Sequence, residues 1–379
     1  MAVTANVVAI QDALDAPRTL PEPAPGSVNL TGWLPVRPLW AATLNGISVM
    51  SAPEWADAHA EGRLRYVPVR YSALPRLLAG PLRPAVAVVT GRPAGRGFKF
   101  GGGVGYALVA ASLAGEVVVE VDESLPDLDA PAIPITKSVH VTEAASPRPD
   151  APERDLAEVD RKIGSAMADL VPPGATVQYG PGSIGESSIR ALSVRVRIHS
   201  GIVTEAVADL SRRGFLDGVA TATYLFGGAG LNELARSGLV RLRGVEETHS
   251  PQTLAGVRRF VALNTALQVG LDGSVNVERI GTRQVGGIGG HSDFCRAATT
   301  SDDGLSVIGL RSTRGSSSTI VPRVDVVSTP RSDVDIVVTE WGMADLRGLG
   351  NRSRAYALIA VANPRFHDAL EGAIAQLAV

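Results

Sequence analysis

Short runs of β-branched and other apolar residues alternate along the chain with segments of helical periodicity. The apolar runs at 83–91 and 116–126 flank a helix-like segment at 105–115. This alternation predicts parallel strands joined by crossover helices, which is an α/β fold. The polar, Pro-rich stretch 142–155 predicts a linker between two such units.

The segment 197–210, RIHSGIVTEAVADL, predicts a short strand that passes directly into a helix. Apolar residues recur with a 3.6-residue period after Gly201, Ser200 stands at the N-cap position, and Gly214 ends the pattern. Gly201 would then be the first helical residue, although glycine is a poor helix former. Ligands of α/β proteins bind at the carboxyl ends of the strands, so Gly201 marks a candidate site.

Composition narrows the class of protein. The chain has 379 residues with a net charge of −2, and 36 basic residues against 38 acidic ones give no basic face for a nucleic acid. The single cysteine, Cys295, excludes an internal disulfide framework and fits a reducing compartment. We find neither a signal-peptide pattern nor an apolar run of the roughly 18–20 residues that span a bilayer. These features predict a cytoplasmic protein without a membrane partner.

Four glycine-rich turns stand between the predicted strands and helices, at 101–105, 180–185, 227–230 and 286–294. Glycines allow close approach of the backbone to a ligand, and amides at a helix start favour anions. None of the turns matches a phosphate loop or a dinucleotide fingerprint, which argues against a nicotinamide dehydrogenase. Each turn alone is a simple connection, but together they could form one ligand cleft.

Two familiar catalytic arrangements are disfavoured. Ser183 follows a strand, but Pro181 breaks the G-x-S-x-G pattern of a serine hydrolase. The six histidines are scattered without metal-ligand spacing, so no metal site is expected. His199 and His291 each stand beside a glycine turn and are retained as candidate site residues.

Long motifs in the second half carry a family resemblance. They occupy 177–192, 198–218, 264–298 and 320–370. In this order they resemble the acetyl-CoA hydrolase/CoA-transferase family, which includes 4-hydroxybutyrate CoA-transferases. The resemblance extends more faintly to Trp55, and the strand and helix that open the family are expected to be shortened or missing.

The resemblance implies an architecture and a substrate. It implies two tandem open α/β domains of the CoA-transferase type with mainly parallel sheets. We assign residues 1–30 to a lead-in, 31–145 to a shortened N-terminal domain and 146–379 to the C-terminal domain. The substrate would be a coenzyme A thioester bound in the cleft, with no covalently bound cofactor, and the protein would be a homodimer.

The resemblance also implies particular site residues. A family glutamate attacks the thioester, and the 286–294 turn supplies backbone donors for the oxyanion. That role carries over to Gly289 and Gly290, with Gly287 and His291 nearby. Contacts to the coenzyme A thioester are further expected from two glycines of the 180–185 turn, Gly180 and Gly182.

The chain departs from the family pattern at the nucleophile. The family reads His-Ser/Thr-Glu where this chain reads His199-Ser200-Gly201, so glycine stands at the glutamate position. Glu205, one helical turn further on, is either a general base for water that reaches the vacated space or a solvated first-turn acid favoured by the helix dipole. Glu186, after the 180–185 turn, is a second candidate for that role.

Three functions remain open at this point. The first is hydrolysis, or a related water-assisted cleavage, of an acyl-CoA without a glutamyl-CoA intermediate. The second is a CoA-ester-binding pseudoenzyme or a subunit of a hetero-complex. The third is an acyl-CoA:carboxylate CoA-transferase, which the missing glutamate disfavours.

Overall fold

A computed structural model describes residues 6–22, 24–34, 39–52, 55–135, 138–151 and 155–374. Within these residues the chain forms two eight-stranded, mainly parallel sheets with helices against them, which confirms the α/β class. The first sheet has the order β4-β3-β2-β1-β5-β7-β8, with β6 paired antiparallel to β5. Its strands are β1 Val7–Ile10, β2 Val28–Thr31, β3 Gly46–Ser48, β4 Leu64–Tyr66, β5 Pro84–Ala94, β6 Gly97–Lys99, β7 Glu116–Val121 and β8 Ser138–Glu143.

The second sheet has the order β12-β11-β10-β9-β13-β18-β22-β23, in which β23 alone runs antiparallel to its neighbour. Its strands are β9 Thr176–Tyr179, β10 Arg197–Thr204, β11 Ala220–Phe226, β12 Val240–Leu242, β13 Phe260–Thr265, β18 Leu305–Gly309, β22 Ile336–Thr339 and β23 Gly342–Asp345. Smaller sheets are formed by β14 Gln268–Gly270, β15 Val275–Asn276, β16 Arg279–Ile280, β17 Arg283–Gln284, β19 Thr313–Arg314, β20 Ser317–Ser318 and β21 Ile320–Val321.

Helices connect the strands and cover the sheets. They are α1 Ala56–Ala60, α2 Leu74–Ala79, α3 Ala107–Leu113, α4 Glu158–Ala168, α5 Ser183–Ala191, α6 Glu205–Arg212, α7 Ala229–Leu234, α8 Val245–Thr248, α9 Pro251–Ala255, α10 His291–Thr300, α11 Asn351–Ala360 and α12 His367–Ile374. One cluster of buried apolar side chains is shared by both sheets, from Val89 and Val119 in the first to Val177 and Leu263 in the second.

The strand order places a crevice in each sheet. The chain winds outward from β1 to β4 and then returns beside β1 as β5. It repeats this path in the second sheet, outward from β9 to β12 and back beside β9 as β13. Such reversals are where open α/β sheets bind ligands, outside the carboxyl ends of the strands. The fold therefore predicts a ligand site at the carboxyl ends of β1, β9 and β13.

The predicted lead-in is corrected by the structure. Val7–Ile10 is a central strand of the first sheet, paired parallel with both β2 and β5. β2 spans Val28–Thr31 and so crosses the predicted boundary at residue 30. β1 is a buried apolar run of four residues, β2 (VNLT) is only partly buried, and both are too short to show a period.

The predicted helix start at Gly201 is also wrong. β10 continues to Thr204, paired with β11 through Ile202 and Val203. The helix begins at Glu205, and the Thr204 side chain accepts a hydrogen bond from the Ala206 amide as its N-cap. Gly201 is therefore a strand residue, and sheet pairing explains why a poor helix former is tolerated there.

The contact between α4 and α5 gives a test of the packing. A Cβ atom at Gly164 would lie 2.5 Å from Ser187 Cβ and 2.7 Å from the Ser188 amide nitrogen. We expect Gly164→Ala to lower the free energy of unfolding by about 1–3 kcal/mol, because the helices must separate. Urea denaturation measures this. The matched control is Gly372→Ala in α12, where no atom lies within 4 Å of the added Cβ; equal stability of the two variants would contradict the packing.

Candidate active site

A cavity of about 200 Å³ lies where the carboxyl ends of β9, β10 and β13 face the first half of the chain. Its apolar wall consists of Trp33, Met50, Ile202, Val277, Ile288 and Phe294, and its polar side chains are Tyr71, Gln178, Tyr179, Tyr224, His249, Asn264, Thr265 and His291. Backbone is exposed at Gly180, Pro181, Gly201, Gly286, Gly287, Gly289 and Gly290. Among the described residues of this lining, none is Asp, Glu, Lys or Arg.

His249, which follows α8, lies between two glycines of the cavity wall. A Cβ at Gly201 would be 3.3 Å from its Nε2 atom, and a Cβ at Gly290 only 2.5 Å. The ring also packs against Phe294, with 4.6 Å between centroids, and against Tyr71, with 5.4 Å. The two glycines thus provide the space that the imidazole occupies, and any side chain at residue 201 would meet it.

The Thr248 hydroxyl lies behind His249. Its oxygen is 3.0 Å from the Gly244 carbonyl oxygen, 2.6 Å from Thr223 Oγ1 and 2.8 Å from His249 Nδ1. In the tautomer in which the hydroxyl donates to the Gly244 carbonyl, His249 Nδ1–H donates to the hydroxyl and the lone pair is on Nε2. Burial, and secondarily the neighbouring His199, lowers the pKa of His249 to about 3, so the ring is neutral at pH 7.

The loop 286–290 is held in place by the first half of the chain. The Tyr71 amide donates to the Gly289 carbonyl at 2.9 Å, and the Ile288 amide donates to the Tyr66 hydroxyl at 3.1 Å. Gly289 has a φ of +52°, a conformation that favours glycine. Met50 packs on the same loop, since its sulfur would be 2.8 Å from a Cβ at Gly287. The conformation of the loop therefore depends on the docking of the two halves.

Two buried carboxylates strengthen that docking. Asp293, in the first turn of α10, accepts hydrogen bonds from the Ser72 amide at 3.0 Å and its hydroxyl at 2.6 Å. Glu278 accepts from the Tyr66 hydroxyl at 3.0 Å and from Ser328 at 2.6 Å. Burial raises the pKa of Asp293 to about 6 despite the bonds from Ser72.

Asp12 lies at the carboxyl end of β1, behind two tyrosines of the cavity wall. Tyr224 donates to its Oδ1 at 2.9 Å, and Tyr71 to its Oδ2 at 3.5 Å. Burial raises the pKa of Asp12 to about 7, although the bond from Tyr224 lowers it. Burial also holds the pKa of both tyrosines well above the ordinary value, so their hydroxyls stay protonated.

Helix α10 carries His291, which lines the cavity, and the buried Cys295, which does not. His291 Nδ1 is 2.8 Å from Thr329 Oγ1, and burial lowers the pKa of His291 to about 4. Cys295 lies one turn further on, where burial raises the pKa of its thiol to about 12. A thiol held protonated is a poor nucleophile. The His291 imidazole, with its lowered pKa, is neutral at pH 7.

The structure brings six of the residues predicted from sequence to the cavity. These are Gly180, Gly201, Gly287, Gly289, Gly290 and His291. Gly182 instead forms the N-cap of α5, with a φ of +115°. His199 is buried behind the wall, where its Nε2 donates to the Thr248 carbonyl at 2.8 Å. It therefore orients the segment that bears His249.

The two predicted general bases do not line the cavity. Glu205 Oε1 accepts hydrogen bonds from the amides of Gly228 and Leu231, at the start of α7. The prediction that it fills the space beside Gly201 is wrong, because β10 carries it past the crevice to the 227–230 turn. Glu186 binds Thr204 Oγ1 at 2.5 Å and Arg190 at 2.8 Å, also outside the lining.

Sequence reasoning missed His249, Asn264 and Asp12. Asn264 ends β13 at the reversal of the second sheet, and Gln178 and Asn264 exchange two hydrogen bonds of 3.1 Å. Its position at a strand end was the available signal. No local signal marked His249 or Asp12. The contact of His249 with Gly201 joins residues 48 positions apart, and that of Asp12 with Tyr224 joins residues 212 positions apart.

Comparison with known proteins places this site in a family. Residues 231–374 match the model of the acetyl-CoA hydrolase/transferase C-terminal domain. The 4-hydroxybutyrate coenzyme A transferase of Clostridium kluyveri is 32% identical over 334 residues, which cover 83% of this chain and 78% of that protein. Among solved structures, RipA from Yersinia pestis has a TM-score of 0.87 at 26% identity. The superposition covers 100% of this chain and 95% of the RipA chain.

A second solved structure agrees. The 4-hydroxybutyrate CoA-transferase from Porphyromonas gingivalis has a TM-score of 0.77 at 26% identity and covers 98% of this chain and 94% of that one. The two sheets and the crevice between them thus define an α/β protein of the CoA-transferase fold. The chain belongs to the acetyl-CoA hydrolase/transferase family.

The described residues contain neither a metal-binding cluster of side chains nor a helix that could cross a membrane. No cluster of three or more His, Cys, Asp or Glu side chains that could hold a metal ion occurs among them. In the same part of the chain, no helix has the length and apolar character needed to cross a bilayer.

The buried Asp12 predicts a pH-dependent stability. Its pKa is raised from 3.8 to about 7, so the folded state keeps a proton that the unfolded state releases, and stability falls as pH rises through this window. Between pH 5 and pH 8 the titration of Asp12 should lower the free energy of unfolding of the wild type by about 2–3 kcal/mol. We expect Asp12→Asn to lack this decrease. Urea denaturation at both pH values measures it. The control is Asp57→Asn at an exposed position, and parallel pH profiles for wild type and Asp12→Asn would contradict a titrating Asp12.

Proposed function

We propose that the protein hydrolyses an acyl-CoA thioester by direct attack of water, without a glutamyl-CoA intermediate. The observation that carries this proposal is the His249 Nε2 atom beside Gly201 and Gly290, in a cavity whose described lining contains no carboxylate. A covalent acyl-glutamyl step needs a carboxylate at the thioester carbon. Water with a neighbouring base does not.

The proposed reaction assigns a role to each group. The Nε2 lone pair accepts a proton from water while the water oxygen attacks the thioester carbon. The amides of Gly289 and Gly290 stabilise the oxyanion of the tetrahedral intermediate. When the carbon–sulfur bond breaks, the imidazolium returns the proton to the coenzyme A thiolate, so the products are a carboxylic acid and free coenzyme A.

The low pKa of His249 is compatible with this role. The ring is neutral at pH 7, so its lone pair is free to orient the attacking water. Negative charge that develops on the thioester oxygen nearby favours the protonated ring and raises its proton affinity in the transition state. In this reaction the Thr248 hydroxyl, 2.8 Å from Nδ1, accepts from Nδ1–H and fixes the ring orientation.

Removal of the imidazole tests the proposal. We expect His249→Gln to reduce kcat for thiol release by about 10²-fold or more, because general-base catalysis contributes a factor of that order. The measurement is free thiol formation from a panel of acyl-CoAs, with melting temperatures recorded to confirm folding. His140→Gln is the matched control, since the His140 side chain is 65% exposed on the edge strand β8.

Two outcomes would overturn hydrolysis. Unchanged turnover in His249→Gln would exclude this residue as the base. Binding of acyl-CoAs by calorimetry without turnover in the wild type would favour a CoA-ester-binding pseudoenzyme or a subunit of a hetero-complex.

A CoA-transferase is the second candidate, favoured by the transferase relatives. The double variant Gly201→Glu/His249→Ala tests it, because a glutamate at residue 201 needs the space that the His249 ring occupies. We expect the wild type to form acid and free coenzyme A, and the double variant to transfer coenzyme A from the acyl group to acetate, which gives the free acid and acetyl-CoA. Borohydride-sensitive labelling would mark the new glutamyl thioester. If the wild type forms acetyl-CoA from acetate faster than it releases free coenzyme A, a native transferase is supported instead.

A further inference from the structure

The wall of the cavity offers little to a charged acyl group. Trp33, Met50, Ile202 and Phe294 form an apolar surface. The two side-chain amides of the lining, Gln178 and Asn264, exchange two hydrogen bonds of 3.1 Å, and the second Asn264 N–H contacts Cys295 Sγ at 3.5 Å. Most of their donor capacity is therefore used within the protein.

Cations are missing from the described lining. His249 and His291 are the basic side chains that reach it, and burial keeps both neutral at pH 7. Arg70, near the loop, lies 4.0 Å from the buried Asp293 carboxylate and is not part of the lining. Asp12 lies behind the hydroxyls of Tyr71 and Tyr224.

These features have a direct energetic consequence. A carboxylate that enters such a cavity loses its hydration and gains no opposite charge from the described lining, which is strongly unfavourable. The Asp12 side chain, when ionised, adds repulsion. The cavity volume of about 200 Å³ is several times the share of one water molecule, roughly 30 Å³, so a neutral chain of several atoms has room.

We infer that the cavity accepts a neutral, apolar acyl group and rejects acyl groups that bear a second carboxylate. This inference rests on the proposed function, because it takes the cavity beside Gly201 as the acyl site. It concerns binding of the acyl group and is independent of whether water or another acceptor attacks.

A matched pair of ligands tests the inference. Succinyl-CoA and 4-oxopentanoyl-CoA have acyl groups of nearly equal size, but the first ends in a carboxylate and the second in a methyl ketone. We expect 4-oxopentanoyl-CoA and pentanoyl-CoA to bind His249→Gln, used to suppress turnover, at least about 100-fold more tightly than succinyl-CoA by calorimetry. Succinyl-CoA that binds as tightly as its neutral partner would overturn the inference.

A cation placed in the wall gives a converse test. Met50 packs against the loop glycines Gly287 and Gly289. Arginine is also unbranched near the backbone and carries its charge about two atoms further out. We expect Met50→Arg to strengthen succinyl-CoA binding at least about 10-fold and to weaken pentanoyl-CoA binding. Met50→Gln, neutral and of similar size, should not strengthen succinyl-CoA binding. If Met50→Arg and Met50→Gln bind succinyl-CoA alike, charge at the wall does not select the acyl group.

The outcomes separate this inference from the proposed function. If none of the three acyl-CoAs binds, both the acyl site and the proposed function are overturned. If all three bind equally and thiol release still depends on His249, hydrolysis stands and the selection of a neutral acyl group is overturned.

Discussion

Close packing of the His249 imidazole between two glycines is the constraint on which the site depends. A Cβ atom at Gly201 would lie 3.3 Å from His249 Nε2, which is a close contact. A Cβ atom at Gly290 would lie 2.5 Å from the same nitrogen, which is too close for a side chain there. The ring is fixed from behind by the Thr248 hydroxyl and from the side by Phe294. A strand of the second sheet, a short helix and the glycine loop must therefore keep their relative positions for the ring to fit.

The glycine loop is in turn shaped by the first half of the chain. The backbone of Tyr71 binds the loop directly, and Tyr66 joins it to the buried Glu278. Ser72 adds a bond to Asp293, in the helix that follows the loop. The site is thus a product of docking, and neither half holds the loop in this conformation by itself.

Burial determines the electrostatics of the cavity more than charge does. The histidines that reach it are kept neutral, the tyrosines stay protonated, and Asp12 behind them titrates near pH 7. In a low-dielectric crevice without a described cationic side chain, a ligand gains from apolar contact and from backbone donors. Such an environment favours the neutral acyl group that we propose as the ligand.

The sequence by itself determined the α/β class, the family and the glycine loop, because alternating apolar runs and long ordered motifs are local signals. Only the tertiary structure decided that β10 runs on to Thr204, since its pairing with β11 outweighs the helical period of the same residues. The tertiary structure also placed the Glu205 carboxylate at the start of α7 and the His249 ring beside Gly201. Asp12 lies in a segment without visible periodicity, and it accepts a hydrogen bond from Tyr224, which is 212 positions away in the sequence. Such contacts depend on how two sheets dock, and no local periodicity encodes that.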